Sequence, residues 1–248
     1  MSTFVLVHGA WHGGWVWYKI AGLLRQQGHT VHTPDLPGHD GGTMPLAQIT
    51  LKAYVDRLAE VINQCSEPVV LVGHSMGGVV ISQTAEQCSE RISALVYVCA
   101  FLLQDGECLL QWAEADKEAL VPGNLVFSED KTSVTLRAEA ISEALYGDCN
   151  PEVIDLAIKL LVPQATAPLA TAVHLTAEKF GRVPRIYVEC LRDRAISLAI
   201  QREMYKAAGG SQVFTLDCDH SPMSSMPEEL TKCLLAALQI RQPAAGTV

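Results

Sequence analysis

The chain has 248 residues, nearly half of them hydrophobic, which is enough for one large domain with a substantial core. Lys and Arg number 18 against 27 Asp and Glu, a formal net charge of −9 with no basic run anywhere, and this excludes nucleic acid or an anionic membrane as the expected partner. No apolar stretch approaches the roughly 18 residues that a membrane helix needs.

The opening MSTFVLVHGAW lacks the charged region and small-residue cleavage site of a signal peptide and reads directly as a strand, Phe4–Val7. The expected location is therefore cytoplasmic and reducing. Eight scattered cysteines agree with that reading: none forms a C-x-x-C pair, and most sit among apolar residues, where a free thiol behaves as a small hydrophobe. The loop after the strand reads VHGAWHGGW. Its His8 and His12, four apart, invite a metal reading, but no carboxylate or third histidine accompanies them and the segment is leaving a strand. No metal or cofactor is expected.

Trp17, Ile20, Ala21 and Leu24 then keep helical spacing up to Gly28, a residue suited to a C-terminal cap. Thr30–Leu36 reads as a second strand. Thr50 is placed to cap a helix whose apolar face is Leu51, Tyr54, Val55, Leu58 and Ile62. The third strand, Pro68–Val72, runs into Gly73-His74-Ser75-Met76-Gly77. This fits G-x-S-x-G, placed after a strand and before a helix, where a serine stands on a strained turn and its neighbours two residues away must be nearly side-chain-free. Gly73 and Gly77 satisfy that requirement, and Gly78 lets the following helix pack closely. Ser75 is the expected nucleophile.

Ala94–Cys99 reads as the fourth strand. The runs so far are β-branched and hydrophobic almost throughout, not alternating, as in strands buried on both faces of a parallel sheet. From about Leu103 to Gly181 the rhythm breaks. A hairpin is expected from Leu125–Phe127 and Ser133–Leu136 around Asp130-Lys131, followed by a helix over Glu152–Leu161 stopped by Pro163. An insertion between two core strands, at the edge where ligands bind, reads as a cap. Arg185–Cys190, a helix over Ser197–Ala208, the strand Val213–Leu216 and a helix over Glu228–Ile240 complete the pattern. The expected fold class is α/β: a mostly parallel six-stranded sheet flanked by helices, with core residues 1–102 and 182–241, a cap over 103–181 and a disordered tail over 242–248.

A serine hydroxyl needs a base to take its proton. On such a sheet the order is Ser, then acid, then His, with the later two on loops after later strands. His220 follows the last strand in FTLDCDHSPM. Asp193 lies three residues past the end of the preceding strand, and Asp105, after the fourth strand, competes with it for the role of acid. The oxyanion donors expected are the N–H of Met76, after the nucleophile, and that of Ala10, in the loop that His8-Gly9 brings close to Ser75. Gly9, Trp11, Phe101 and Trp112 are candidate pocket residues.

At this point the chain resembles the plant methyl-ester esterase and hydroxynitrile lyase group of the α/β-hydrolase superfamily. The likeness runs through FVLVHGAWHGGWVWYKIAGLLRQQGHTVHTPDLPG, VVLVGHSMGGVV, EKFGRVPRIYVECLRDRAI and Asp219-His220, and is weakest in the cap. It implies nucleophile Ser75, acid Asp193, base His220 and an oxyanion loop at Ala10. The group's cyanogenic lyases resemble one another in a Thr where this chain has Gly9 and a Lys where it has Ser221. A serine cannot supply the charge that would stabilise departing cyanide, so the resemblance implies an esterase. DHSPM followed by SSMP looks more like bacterial esterases, including the pyrethroid-hydrolysing type. The partner expected is a small-molecule ester, and exposed aromatics in the cap could support a homodimer. Carbon–carbon lyase or hydrolase chemistry on the same triad, or a slow-turnover ligand-binding relative, are the alternatives.

Overall fold

A computed structural model describes residues 1–42 and 44–239. Six strands form one parallel sheet: β1 (Thr3–Val7), β2 (Thr30–His32), β3 (Val69–His74), β4 (Ile92–Val98), β8 (Arg185–Cys190) and β9 (Ser211–Leu216), in spatial order β2-β1-β3-β4-β8-β9. The helices α1 (Tyr18–Gln26), α9 (Pro222–Ser225) and α10 (Pro227–Ala236) cover one face. The other carries α2 (Leu51–Asn63), α3 (Gly77–Cys88) and α8 (Leu198–Ala208).

The two faces follow from the period of the strand. Val5 and Val7 of β1, Leu71 of β3 and Leu95 and Tyr97 of β4 pack with Tyr54, Leu58, Val79, Val80 and Met204. Their alternates Phe4, Leu6, Val70, Val72, Val96 and Val98 pack with Ile20, Leu24, Leu230 and Leu234. Successive side chains point to opposite faces, so a run apolar at every position is what a sheet covered on both sides requires. The cap expected at Thr50 is present, its side chain accepting from Ala53 N at 3.1 Å, and Ser197 caps α8 in the same way, accepting from Ile200 N at 3.4 Å. Gly28 follows α1 at φ +83°.

The strand expected over Thr30–Leu36 ends early, at His32. Pro34 has no N–H to give a ladder, and the chain instead turns so that the amide of Leu36 meets His8 Nε2 at 3.1 Å. The last helix continues as a short 3₁₀ turn, Ala237–Gln239; Ile240 and the tail over 242–248 lie outside the described residues.

Residues 103–181 leave from β4 and return to β8. They hold α4 (Leu109–Ala115), the hairpin β5 (Leu125–Phe127) and β6 (Ser133–Leu136), α5 (Ala138–Leu145), α6 (Pro151–Leu160), a two-residue strand β7 (Gln164–Ala165) antiparallel to β6, and α7 (Ala167–Ala170). The base of the insertion is closed by backbone bonds from Gly106 N to Val173 O and Val173 N to Glu107 O, at 2.9 and 2.8 Å. Its far end meets the loop after β1: Trp11 Nε1 donates to Val134 O, and Val162 N to Trp11 O, each at 2.9 Å.

Strand order also fixes where a site can form. From β1 the chain steps outward to β2, then crosses back to β3 on the other side of β1. The loops leaving the carboxyl ends of β1 and β3 therefore part at the crevice between them, where open α/β sheets bind ligands.

Candidate active site

Ser75 occupies the corner between β3 and α3 with φ +53°, a left-handed backbone that costs a non-glycine residue of order 1–2 kcal/mol. The end of β4 holds it there: Ser75 N donates to Val98 O at 3.3 Å, and Phe101 N to Ser75 O at 3.1 Å. The flanking glycines are required by close approach. A Cβ on Gly73 would lie 2.6 Å from Gly77 O, and one on Gly77 would lie 2.9 Å from the carbonyls of Val7 and His8. The loop after β1 comes just as near, since a Cβ on Gly9 would sit 2.9 Å from both Ser75 Cβ and His74 Nδ1.

His220 lies on the loop after β9, buried, with Nδ1 2.7 Å from Asp193 Oδ2. Asp193 is buried too, and its carboxylate is fully engaged. Oδ1 accepts from the amides of Ala195 and Ile196 at 2.7 and 2.9 Å, and Oδ2 also accepts from Gln201 Nε2 at 3.1 Å. Gln201 is wholly buried on α8 and takes the amide of Cys190 on its Oε1 at 3.2 Å, so it joins the end of β8 to the carboxylate. The backbone of His220 is fixed as well, because His74 Nε2–H donates to its carbonyl at 2.8 Å. Burial holds the His74 imidazole well below its ordinary range, with the charges of His220 and His12 acting the same way, and the ring stays neutral. Asp105 is elsewhere. It is exposed, accepting from Leu175 N at 2.9 Å and facing His174 across 3.9 Å.

Ser75 and His220 share the wall of one cavity, with no direct hydrogen bond between them. Among the described residues that line it they are the only polar side chains apart from the Trp11 indole, whose N–H is taken by Val134 O. Ala10, Trp11, Met76 and Phe101 line it with Leu109, Leu145 and other aliphatic groups from the 103–181 segment. The amides of Ala10 and Met76 donate to no acceptor among the described residues. Two expected pocket residues are placed otherwise. Trp112 turns its indole N–H to Glu107 Oε2 at 2.9 Å, because α4 presents Leu109, Leu110 and Ala113 to the cavity and position 112 lies off that face. Gly9 packs behind the serine turn and does not line the cavity.

Sequence reasoning passed over Gln201, and also Asp116, a buried carboxylate whose Oδ2 accepts from Ser197 N at 2.8 Å, next to the Asp193 loop. Neither lies in a recognisable motif; a lone Gln on an amphipathic helix gives no signal. As for metals, His8 and His12 each have both ring nitrogens engaged: His8 with Gly9 O and Leu36 N, His12 with Ala10 O and Tyr146 Oη. His74, Cys99 and His220 bring ligand atoms within 4.8 Å of one another. There the Cys99 thiol points at the His220 carbonyl and burial pushes it up to about 12, which disfavours the thiolate that metals bind. Among the described residues, no helix is long and apolar enough to cross a membrane.

Comparison with known proteins gives a consistent picture. Residues 4–232 match the alpha/beta hydrolase family. The chain is 34% identical to putative methylesterase 14, chloroplastic, of Arabidopsis thaliana, over 97% of this chain and 73% of that one. It is 29% identical to the pyrethroid hydrolase of Sphingobium wenxiniae, over 94% and 86%. Polyneuridine aldehyde esterase of Rauvolfia serpentina is 31% identical over 94% of each chain. A crystal structure of polyneuridine aldehyde esterase superposes with a TM-score of 0.85, covering 95% of this chain and 98% of the other.

Proposed function

The chain belongs to the alpha/beta hydrolase family and is a carboxylic-ester hydrolase, and from that premise we propose that it cleaves uncharged esters with an apolar acyl group through an acyl-enzyme on Ser75. The observation that carries this reading is the joint placement of Ser75, on its +53° turn, and His220, bonded to Asp193 at 2.7 Å, in the wall of one apolar cavity.

Ser75 Oγ attacks the ester carbonyl while His220 Nε2 takes its proton. The oxyanion of the tetrahedral intermediate falls to the N–H groups of Ala10 and Met76, which have no other acceptor among the described residues. Collapse breaks the carbon–oxygen bond to the alcohol, which leaves with the proton from His220. Water, deprotonated by His220, then attacks the acyl-enzyme, and the acid departs as Ser75 regains its proton. Asp193 keeps the proton of the neutral imidazole on Nδ1 and stabilises the cation that forms. Residues 103–181 act as a cap that supplies the acyl-binding wall. Ser221, buried beside His220, offers no ammonium for a departing cyanide, so nothing in the site favours the lyase reading.

A p-nitrophenyl ester panel tests the proposal with wild type, Ser75→Ala and Asp193→Asn. Multiple turnover is expected from wild type, with loss of ~10³-fold or more in kcat in each variant. Turnover that survives Ser75→Ala would sink the proposal.

A further inference from the structure

The loop that carries the Ala10 amide is tied down by a chain of imidazoles, His8 and His12 buried and His39 half-buried, that the reaction itself does not use. Four consecutive carbonyls are engaged. Gly9 O meets His8 Nδ1 at 2.8 Å, Ala10 O meets His12 Nδ1 at 2.7 Å, Trp11 O accepts from Val162 N at 2.9 Å, and His12 O meets His39 Nδ1 at 2.5 Å. The first of these bears directly on catalysis. The carbonyl of Gly9 and the N–H of Ala10 belong to the same peptide unit, planar and trans, so they point in opposite directions. Fixing one fixes the other.

The tautomer of His8 follows from its partners. Leu36 N–H is a donor that cannot reverse, and it meets Nε2 at 3.1 Å, so Nε2 is the bare nitrogen and Nδ1 carries the proton given to Gly9 O. The ring has no exposed surface, and burial, joined by the neighbouring His39 whose ring centroid is 4.7 Å away, keeps it neutral. The result is a relay from the amide of Leu36, through the imidazole, to the peptide that faces Ser75. A bonded carbonyl also polarises its own N–H, which strengthens that donor.

We propose that His8 is a positioning residue of the oxyanion hole: its neutral Nδ1–H tautomer orients the Gly9–Ala10 peptide so that the Ala10 amide is presented to the developing oxyanion. The inference rests on the esterase reading of Ser75. His8 touches neither the cavity nor the substrate, so its effect appears in the transition state and leaves ground-state binding alone.

The experiment compares wild type with His8→Leu, which removes the donor, and His8→Asn, whose amide nitrogen can stand near the place of Nδ1. Steady-state hydrolysis of p-nitrophenyl butyrate is read beside the inhibition constants of a trifluoromethyl ketone, which adds to the serine as a tetrahedral oxyanion, and of the matching alcohol, which does not. His8→Leu is expected to lower kcat by ~10–100-fold with KM within about twofold, and to weaken the trifluoromethyl ketone in parallel with kcat while the alcohol binds as before. His8→Asn is expected to recover at least tenfold of the loss. The inference is overturned if His8→Leu keeps wild-type kcat, if its loss falls on KM and on both inhibitors alike, or if Asn and Leu are equally impaired. A wild type that turns over no ester, or turns it over without Ser75, overturns the underlying reading and the inference with it.

Discussion

At the scale of single residues, the site is built from atoms that have no room to move. Gly9 shows this most directly. Its missing Cβ would press on Ser75 Cβ and His74 Nδ1, both at 2.9 Å, and neither is the free end of a flexible side chain. Gly9→Ala is therefore expected to leave the fold intact and displace the Ser75 turn by a few tenths of an ångström. Because misplacements of this order cost up to ~10²-fold, kcat should fall by about one to two orders of magnitude. A wild-type kcat in Gly9→Ala would show that the two loops are looser than their packing implies. The buried imidazoles give a second prediction, in pH. Burial lowers His12 from 6.5 to about 4, its bond to the Ala10 carbonyl opposing and the charges of His220 and His39 adding. The folded protein thus binds this proton less readily than the unfolded chain. Stability is complete above pH 6.5 and is lost progressively as pH falls from 6.5 through 4, by about 3 kcal/mol from this residue. Urea unfolding at pH 7.5 and pH 4.5 should show the loss, and a smaller one in His12→Gln; equal losses in the two proteins would remove His12 from the account.

At the scale of elements, the acid loop depends on a carboxylate from outside the sheet. Asp116, at the end of α4, accepts from Ser197 N at 2.8 Å and from the amides of Glu118 and Ala119, both at 3.2 Å. Leu120 N donates to Arg194 O at 2.8 Å. Asp116→Ala strands the buried amide of Ser197 and leaves the half-buried amides of Glu118 and Ala119 to water, and at ~1–3 kcal/mol for one unsatisfied buried group it should lower stability by about 1–3 kcal/mol. Thermal unfolding of the variant checks this, and an unchanged midpoint would mean that water takes the place of the carboxylate. Nothing in the sequence announced this contact. The central strands β1, β3 and β4 were legible because they are almost continuously apolar and rich in Val, Leu and Ile, whereas β2, β8 and β9 carry polar residues and β2 stops at His32, short of the expected Leu36. The positions of Ser75, Asp193 and His220 were legible because each follows the end of a strand. The 103–181 segment hides its structure. Helices α4, α5 and α7 are short, α5 and α7 have no side-chain cap, the capping box of α4 starts from a cysteine rather than a Ser, Thr, Asp or Asn, and β7 is two residues long, too brief for any period to register. Trp112 was misread for the same reason. Without the phase of α4, an aromatic in the segment looks like a pocket wall, whereas the true wall is three residues of the adjacent face.

At the scale of the whole molecule, two layers meet at one cavity, and the division of labour sets selectivity. On the proposed reading the sheet loops supply the polar groups, Ser75 and His220 with the amides of Ala10 and Met76, and the described lining side chains of the 103–181 segment are all aliphatic. Among the described residues, the lining therefore offers a substrate no ionic or hydrogen-bonding side chain beyond those that meet its ester group. Each methylene it buries against Leu109 or Leu145 gains about 0.8 kcal/mol, a factor of ~4 in kcat/KM while space lasts. Two added methylenes, from p-nitrophenyl acetate to butyrate, should raise kcat/KM by about 15-fold. An acyl chain ending in a carboxylate must instead lose its hydration against a wall with no cation, which costs several kcal/mol, so the p-nitrophenyl monoester of succinate should fall below butyrate by ~10²-fold or more. The ratio of those two esters is the informative measurement, since both place a four-carbon acyl group in the cavity and differ chiefly in the charge at its end. A ratio near one would mean that the carboxylate reaches solvent, and that the cavity opens past its aliphatic end. A ratio above ~10² would mean that the 103–181 segment seals the acyl end, and that polarity rather than length is what this enzyme rejects.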